Sequence, residues 1–336
     1  MIHFVILAGG RGERFWPLSS PELPKQFLKL FGKESFFQLT LKRLRQLKKG
    51  FSGEKIKFWV VTEARYRKWI RSQAPELPGS QIILEPVARN TAAAIGLAAK
   101  RITAGDPDGV MICFPSDHWI RPVAVLRKAL QNAVRSARET EGLGLLGVKP
   151  NFPSTGLGYI ELAGRPRSLN CYPVARFHEK PDLDRARRWI QTGRYLWNSG
   201  IFVWQGEALL RELRNWLPQI SDKLNLKEYH SIKPVSIDYG VLEKSRSLFC
   251  VPVSLHWDDL GTWENLWHYA KKDKMDNALF KGTEWKKLET KGCLVYSENL
   301  KIATLGVSNL IIVQSSSGVL ICDRDRAQQV RQLVMG

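Results

Sequence analysis

The chain opens on Ile2-His3-Phe4-Val5-Ile6-Leu7-Ala8, a nearly unbroken apolar run halted by Gly9 and Gly10. An apolar run without polar alternation is a strand covered on both faces, which places it inside a parallel sheet. Further strand-like segments recur at 57–62, 81–84, 110–114 and 143–148, with helical stretches between them at 36–47, 64–73, 91–103 and 123–138. This alternation is that of βαβ units in a doubly wound sheet. A glycine-rich loop follows the first strand, where such sheets bind ligands.

The pattern changes after Pro150. Strands are expected at 158–162, 172–177 and 200–204, with helices near 182–192 and 206–216, as a substrate-binding extension of the same sheet. From about residue 280, short segments at 293–296, 303–305, 310–313 and 319–322 are punctuated by Gly, Ser and Asn. They suggest a small all-β appendage closed by a helix over 324–334. The expected division is therefore 1–280 and 281–336, with a soft boundary.

Lys and Arg number 51 against 32 Asp and Glu, a formal net charge of +19, and residues 1–72 hold 16 of those cations against five acids. An anionic partner is expected at this end: nucleic acid, a triphosphate, or simply solvent around a soluble surface. Cys113, Cys171, Cys250, Cys293 and Cys322 form an odd set with no CxxC pair, which argues against a disulfide framework or a zinc ribbon and for a reducing cytoplasm. No stretch approaches the roughly 18 apolar residues of a membrane span. The 2–8 run is too short for a secretory core and lacks a cleavage-like sequel.

In Leu7-Ala8-Gly9-Gly10-Arg11-Gly12-Glu13-Arg14, three glycines in four positions let backbone N–H groups converge on an anion, and Arg11 and Arg14 add charged donors. Phe15 stands where a dinucleotide fingerprint needs its third glycine, and no Gly-Lys-Ser/Thr follows. Pro17 and Pro24 bracket an irregular segment that ends in Lys25, which a restrained loop can hold near the same anion. A structural glycine turn and a solvated lysine are the plainer alternatives.

Taken together, LAGGRGERFWPLS and PKQFLKL resemble the start of the sugar-nucleotide pyrophosphorylases, specifically the mannose-1-phosphate guanylyltransferases. The resemblance continues in family order through Glu85-Pro86 with Arg89-Asn90-Thr91, Phe114-Pro115-Ser116-Asp117-His118, Gly156-Leu157-Gly158-Tyr159, Glu179-Lys180-Pro181, Trp197-Asn198-Ser199-Gly200 and Trp257-Asp258-Asp259-Leu260-Gly261. Glu13, Ser116, Leu157 and Ala93 depart from the commoner family residues, and the chain is too short for the fused isomerase domain of longer members. The fold this implies is a Rossmann-like α/β nucleotidyltransferase domain with a mixed, mainly parallel sheet, plus a small C-terminal β domain resembling a left-handed β-helix.

The activity it implies is transfer of GMP from GTP to mannose 1-phosphate, giving GDP-mannose and pyrophosphate, with Mg²⁺ as cofactor. Arg14 and Lys25 would neutralise the β- and γ-phosphates, Asp117 and Asp259 would hold the metal, and Lys180 would grip the sugar phosphate. Nucleotide contacts fall on Leu7, Ala8, Gly9, Gly10, Arg11, Gly12, Glu13, Glu85, Arg89, Asn90 and Ser116, and sugar contacts on Gly158, Tyr159, Glu179 and Asn198. Guanine shows N1–H and N2–H₂ side by side, so the Glu85 carboxylate is the expected reader of the base. His118 receives no chemical role, the motif tryptophans Trp16, Trp197, Trp257 and Trp263 are read as buried packing before cleft walls, and Asp238 as structural or sugar-side. The rival readings are another sugar 1-phosphate or nucleotide, and a non-catalytic basic relative. No nucleic-acid or membrane partner is expected, and the C-terminal domain leaves a homodimer open.

Overall fold

The computed structural model describes residues 1–10, 12–167, 170–280 and 284–335. They pack as two compact units, neither continuous in sequence. The first comprises Met1–Gly9, Leu41–Ser116 and Ile120–Trp257, the second Gly10–Thr40, Asp117–Trp119 and Asp258–Gly336.

The first unit is built on a nine-stranded sheet. Its strands are β1 (Ile2–Leu7), β2 (Ile56–Glu63), β3 (Ile82–Glu85), β4 (Val110–Pro115), β5 (Leu143–Val148), β6 (Tyr159–Leu162), β7 (Tyr172–His178), β8 (Tyr195–Gln205) and β9 (Leu248–Val253). Their spatial order is β3-β2-β1-β4-β8-β5-β9-β7-β6, and β8 also pairs with β6. Pairs β1–β2, β1–β4, β2–β3 and β5–β9 are parallel; β8 runs antiparallel to β4, β5 and β6. Every residue of β1 but Leu7 is buried, as its uninterrupted apolar run requires. In register, Leu7 lies opposite both Val61 and Pro115, and Glu63 lies opposite Glu85. The C-terminal ends of β1, β3 and β4 thus emerge along one margin of the sheet, where ligands of such sheets bind.

Helices α1 (Phe36–Lys48), α2 (Arg67–Gln73), α3 (Asn90–Thr103), α4 (Val123–Thr140), α5 (Leu183–Thr192) and α6 (Gly206–Trp216) follow the expected spans closely. Alanine-rich α3 buries Ala92, Ala93, Ala94, Ala98 and Ala99 beneath α6, because small side chains let helices approach. The expected strand at 200–204 is the second half of the longer β8. Its first half, Tyr195–Ser199, lies before Gly200, which sits at a positive φ of 71° where the pairing with β5 slips between Leu145 and Gly147. Glycine adopts this backbone without a Cβ penalty, and the slip is a bulge.

The second unit holds a β-coil. Strands β10 (Ala278–Leu279), β11 (Trp285–Leu288), β12 (Leu294–Ser297), β13 (Ile302–Leu305), β14 (Leu310–Ser315) and β15 (Gly318–Asp323) form the sheet β10-β12-β14-β15 and the pair β11-β13. All pairs are parallel except β14–β15; Trp285 faces Ile302 and Leu294 faces Ile311, a repeat of 17 residues, while Ala278 faces Leu294 after 16. The expected closing helix divides into a 3₁₀ stretch, Arg324–Gln329, and α8 (Val330–Met335), after α7 (Trp263–Tyr269) earlier in the chain. Its core mixes both ends of the sequence: Phe15, Leu18, Leu28, Leu30 and Phe36 pack in one cluster with Leu260, Trp263, Leu294, Ile311, Val313, Leu320, Ala327 and Val330.

Candidate active site

In the first unit, Glu85 ends β3 with 4% of its surface exposed. The Tyr229 hydroxyl donates to its Oε1 at 2.6 Å, and Oε2 lies 4.0 Å from where a Cβ on Gly9 would stand. Burial, reinforced by the Glu63 carboxylate, pushes the Glu85 carboxyl up to about 7, against hydrogen bonds from Tyr229 and the Arg89 backbone. The result is a carboxyl group facing a glycine backbone, with lone pairs left for further N–H donors. Arg89 donates from its guanidinium to the His230 carbonyl while its Nε is buried without a partner. Asn90 begins α3 instead of capping it, and its side chain accepts from the Thr91 N–H at 2.7 Å. Ala8 is fixed by the Thr62 hydroxyl on its carbonyl, 2.8 Å, and Ser116 and Ala8 are buried while Leu7 is half-buried.

A second group of polar residues gathers around Gly158 in the same unit. The Gly158 carbonyl accepts from the Asn198 N–H at 2.8 Å, and a Cβ at Gly158 would stand 2.6 Å from Glu179 Oε2. Lys180 Nζ lies 3.1 Å from Glu179 Oε1 and its side chain is half exposed. The Asn198 amide is oriented at both ends: Nδ2 donates to Asp238 Oδ1 at 3.0 Å and Oδ1 accepts from the Gly200 N–H at 3.0 Å. Burial, then repulsion from Glu179, pushes Asp238 up to about 7. Glu179 is itself raised by burial and by Glu243, with Lys180 opposing, and its backbone N–H donates to Glu243 Oε1 at 2.8 Å. Tyr159 is fully buried, its hydroxyl accepting from the Ser154 N–H at 3.0 Å and its ring 5.4 Å from Trp189, so only its backbone is available to a ligand here.

The second unit carries an open cavity of about 280 Å³ lined by Gly12, Glu13, Arg14, Phe15, Lys25, Asp117, His118, Asp259, Gly261 and Arg331. Lys25 is 6% exposed, and its ammonium pairs with Asp117 Oδ2 at 2.8 Å while donating to the Asp259 carbonyl at 2.8 Å. Gly12 must be glycine for this: at φ 64°, its Cβ would stand 2.5 Å from Lys25 Cβ and 2.8 Å from Lys25 N. Burial works to raise the Asp117 carboxyl, but the charges of Lys25 and His118 outweigh it and hold the group below its ordinary value. Asp259 Oδ1 accepts from the Gly261 N–H at 3.0 Å, and a Cβ on Gly261 would stand 3.4 Å from Arg14 Nη1. Neighbouring Asp258 is spent on the local turn, accepting from the Leu260 N–H at 2.6 Å and from Asn265 at 3.1 Å. Gly10 also belongs to this unit, and Arg11 lies outside the described residues.

Comparison with known proteins identifies the family of the chain. The nucleotidyl transferase family model matches residues 3–276, and the MannoseP isomerase/GMP-like beta-helix domain matches 285–335. A mannose-1-phosphate guanylyltransferase of Escherichia coli is 37% identical over 350 residues, covering 98% of this chain and 72% of the relative. The chain belongs to the nucleotidyl transferase family, among the mannose-1-phosphate guanylyltransferases. Its relatives include the alginate biosynthesis protein AlgA of Pseudomonas syringae, 34% identical over 98% of the chain and 70% of the relative. Among solved structures, one described as a "mannose-1-phosphate geranyltransferase" from Thermus thermophilus superposes with a TM-score of 0.88, at 31% identity over 99% of this chain and 98% of that one.

For a guanylyltransferase of this family, the donor chemistry of the cavity fits a hard divalent ion. Asp117 and Asp259 offer carboxylate oxygens, and no group of three or more His, Cys, Asp or Glu able to hold a metal occurs among the described residues. Two carboxylates, with Glu13 taken up by Arg331, suit an ion that takes its remaining ligands from phosphate and water. Sequence reasoning missed Tyr229, which carries no motif and reaches Glu85 across 144 residues, and Arg331, which comes from the C-terminal α8. His118, set aside on mechanistic grounds, lines the cavity and helps hold Asp117 ionised.

Proposed function

We propose that the chain transfers GMP from GTP to mannose 1-phosphate, releasing pyrophosphate and forming GDP-mannose by direct in-line attack of the sugar phosphate on the α-phosphorus. The observation that carries this reading is the convergence of Arg14, Lys25, Asp117 and Asp259 on one cavity, four charged groups drawn from three separated stretches of sequence. A phosphate monoester has its second pKa near about 6, so the nucleophile is already an anion and needs no catalytic base. What the protein must supply is positive charge for two polyanions and for the departing pyrophosphate.

Arg14 and Lys25 serve that leaving group, and the glycine loop lends backbone N–H donors. Asp117 and Asp259 hold Mg²⁺ in this proposal; when bound, the ion neutralises phosphate oxygens and the charge that develops on them. Release of Lys25 from Asp117 frees its ammonium for phosphate. Glu85 accepts the N1–H and N2–H₂ of guanine, Lys180 binds the sugar phosphate, and Glu179 and Asn198 bind the sugar hydroxyls. Residues 1–280 carry the catalysis and 281–336 form the small β domain, open to homodimer formation. No helix among the described residues is long and apolar enough to cross a membrane, and we place the reaction in the cytoplasm, without nucleic acid. Pyrophosphate release with each of four nucleoside triphosphates, crossed with mannose and glucose 1-phosphates and with or without Mg²⁺, tests the reading; equal turnover of ATP and GTP would refute the assignment of Glu85.

A further inference from the structure

Glu13 follows the glycine loop directly and lines the cavity that holds Arg14, Lys25, Asp117 and Asp259. A carboxylate there is an obstacle for a polyphosphate. Besides His118, the described charged side chains of the cavity are three cations and three carboxylates, with Lys25 already committed to Asp117. Arg331 is the third cation, and its Nε lies 3.0 Å from Glu13 Oε2. Its position is set by packing: Val330 and Ala327 are buried in one cluster with Phe15, two residues beyond Glu13. Arg331 is 52% exposed and Glu13 21%, so the pair is screened on the arginine side and adds little to folding stability. Its weight lies in the field that a ligand in the cavity feels.

We propose that Arg331 is an electrostatic positioning residue for polyphosphate: it neutralises Glu13 at the phosphate cavity, so that Arg14 and Lys25 meet the triphosphate or pyrophosphate without a competing negative charge. The C-terminal helix thereby contributes to nucleotide affinity. This inference rests on the function proposed above for the cavity. Arg331→Gln is expected to raise KM for GTP by roughly tenfold at low ionic strength, the size expected of one uncompensated charge several ångströms from a phosphate, and to leave KM for mannose 1-phosphate unchanged. The loss shrinks in about 0.5 M salt. Arg331→Lys retains most of the affinity, and Glu13→Gln combined with Arg331→Gln recovers most of the loss.

An unchanged KM for GTP in Arg331→Gln, a salt-insensitive loss, or a double variant as impaired as the single one overturns the proposal. Should Arg331→Gln not fold, Glu13→Gln alone decides: it should lower KM for GTP, and a rise overturns the inference. Calorimetric titration of magnesium pyrophosphate into the same variants separates this idea from the reading beneath it. A wild-type protein that forms no pyrophosphate from GTP and mannose 1-phosphate defeats the function, while the order of pyrophosphate affinities still decides the role of Arg331.

Discussion

Glu85 shows at the scale of one residue what burial does to a carboxyl group, and the proposed reading of guanine depends on it. Its carboxyl titrates near 7 in the free protein, and accepting two N–H groups of guanine requires the ionised form. GTP affinity should therefore rise with pH up to about 8, standing at pH 6 near roughly a tenth of its plateau, as calorimetric titration across that range will check. Glu85→Gln should remove the pH dependence and weaken GTP by about tenfold or more, with a smaller effect on inosine triphosphate, which lacks the exocyclic amine. The metal assignment is tested by Asp117→Ala and Asp259→Ala, each expected to cut Mg²⁺-dependent pyrophosphate release by about a hundredfold or more; Asp259→Ala retains the melting profile, while Asp117→Ala lowers it because the buried Lys25 ammonium loses its carboxylate. Wild-type rates in both would remove the metal site. The placement of Glu85, Asp117 and Asp259 at a strand end or tight turn was legible in the sequence because each sits in a short motif. Tyr229 was not, because a hydroxyl that meets its carboxylate across the fold leaves no local pattern.

Secondary-structure elements were legible where their hydrophobic period was strong and blurred where a special backbone interrupted it. Buried β1 and amphipathic α4 could be read directly. The first half of β8 could not, because Asn198, Ser199 and Gly200 imitate a loop, although Ser199 donates to the Leu146 carbonyl at 2.7 Å and holds the strand through its bulge. The Gly158 carbonyl and the Asn198 N–H then tie the turn before β6 to β8. Gly158→Ala should displace the Glu179 carboxylate, which lies where the new methyl group would stand, and raise KM for mannose 1-phosphate by about tenfold with little change for GTP. An equal rise in both constants would count against a sugar-side role. Asp238 and Glu85 share another consequence: their folded pKa values near 7 exceed the usual carboxyl values, so the folded state binds extra protons between about pH 4 and 7. Their contribution to stability is fully present below that window and is lost as pH rises through 7. In Glu85→Gln/Asp238→Asn, denaturant unfolding at a series of pH values should show a flatter profile; an unaltered slope would sink the assignment.

On the scale of the whole molecule, the sequence announced a sheet-based part and a β-rich tail, and the structure gives that tail a companion drawn from the opposite end of the chain. Phe15, Leu18 and Leu28 share one apolar cluster with Leu294, Ile311 and Val330. Hydrophobic pattern predicts elements, but it cannot show which distant elements share a core. A chain ending at residue 280 should therefore lose cooperative unfolding and pyrophosphate release together, by circular dichroism and turnover; a soluble 1–280 fragment with the full rate would contradict this. The same cluster constrains the order of synthesis. Emerging from the ribosome, the stretch that bears the phosphate loop must wait with its aromatic and leucine side chains uncovered until Val330 has been translated, a long interval in which chaperones or aggregation compete for it.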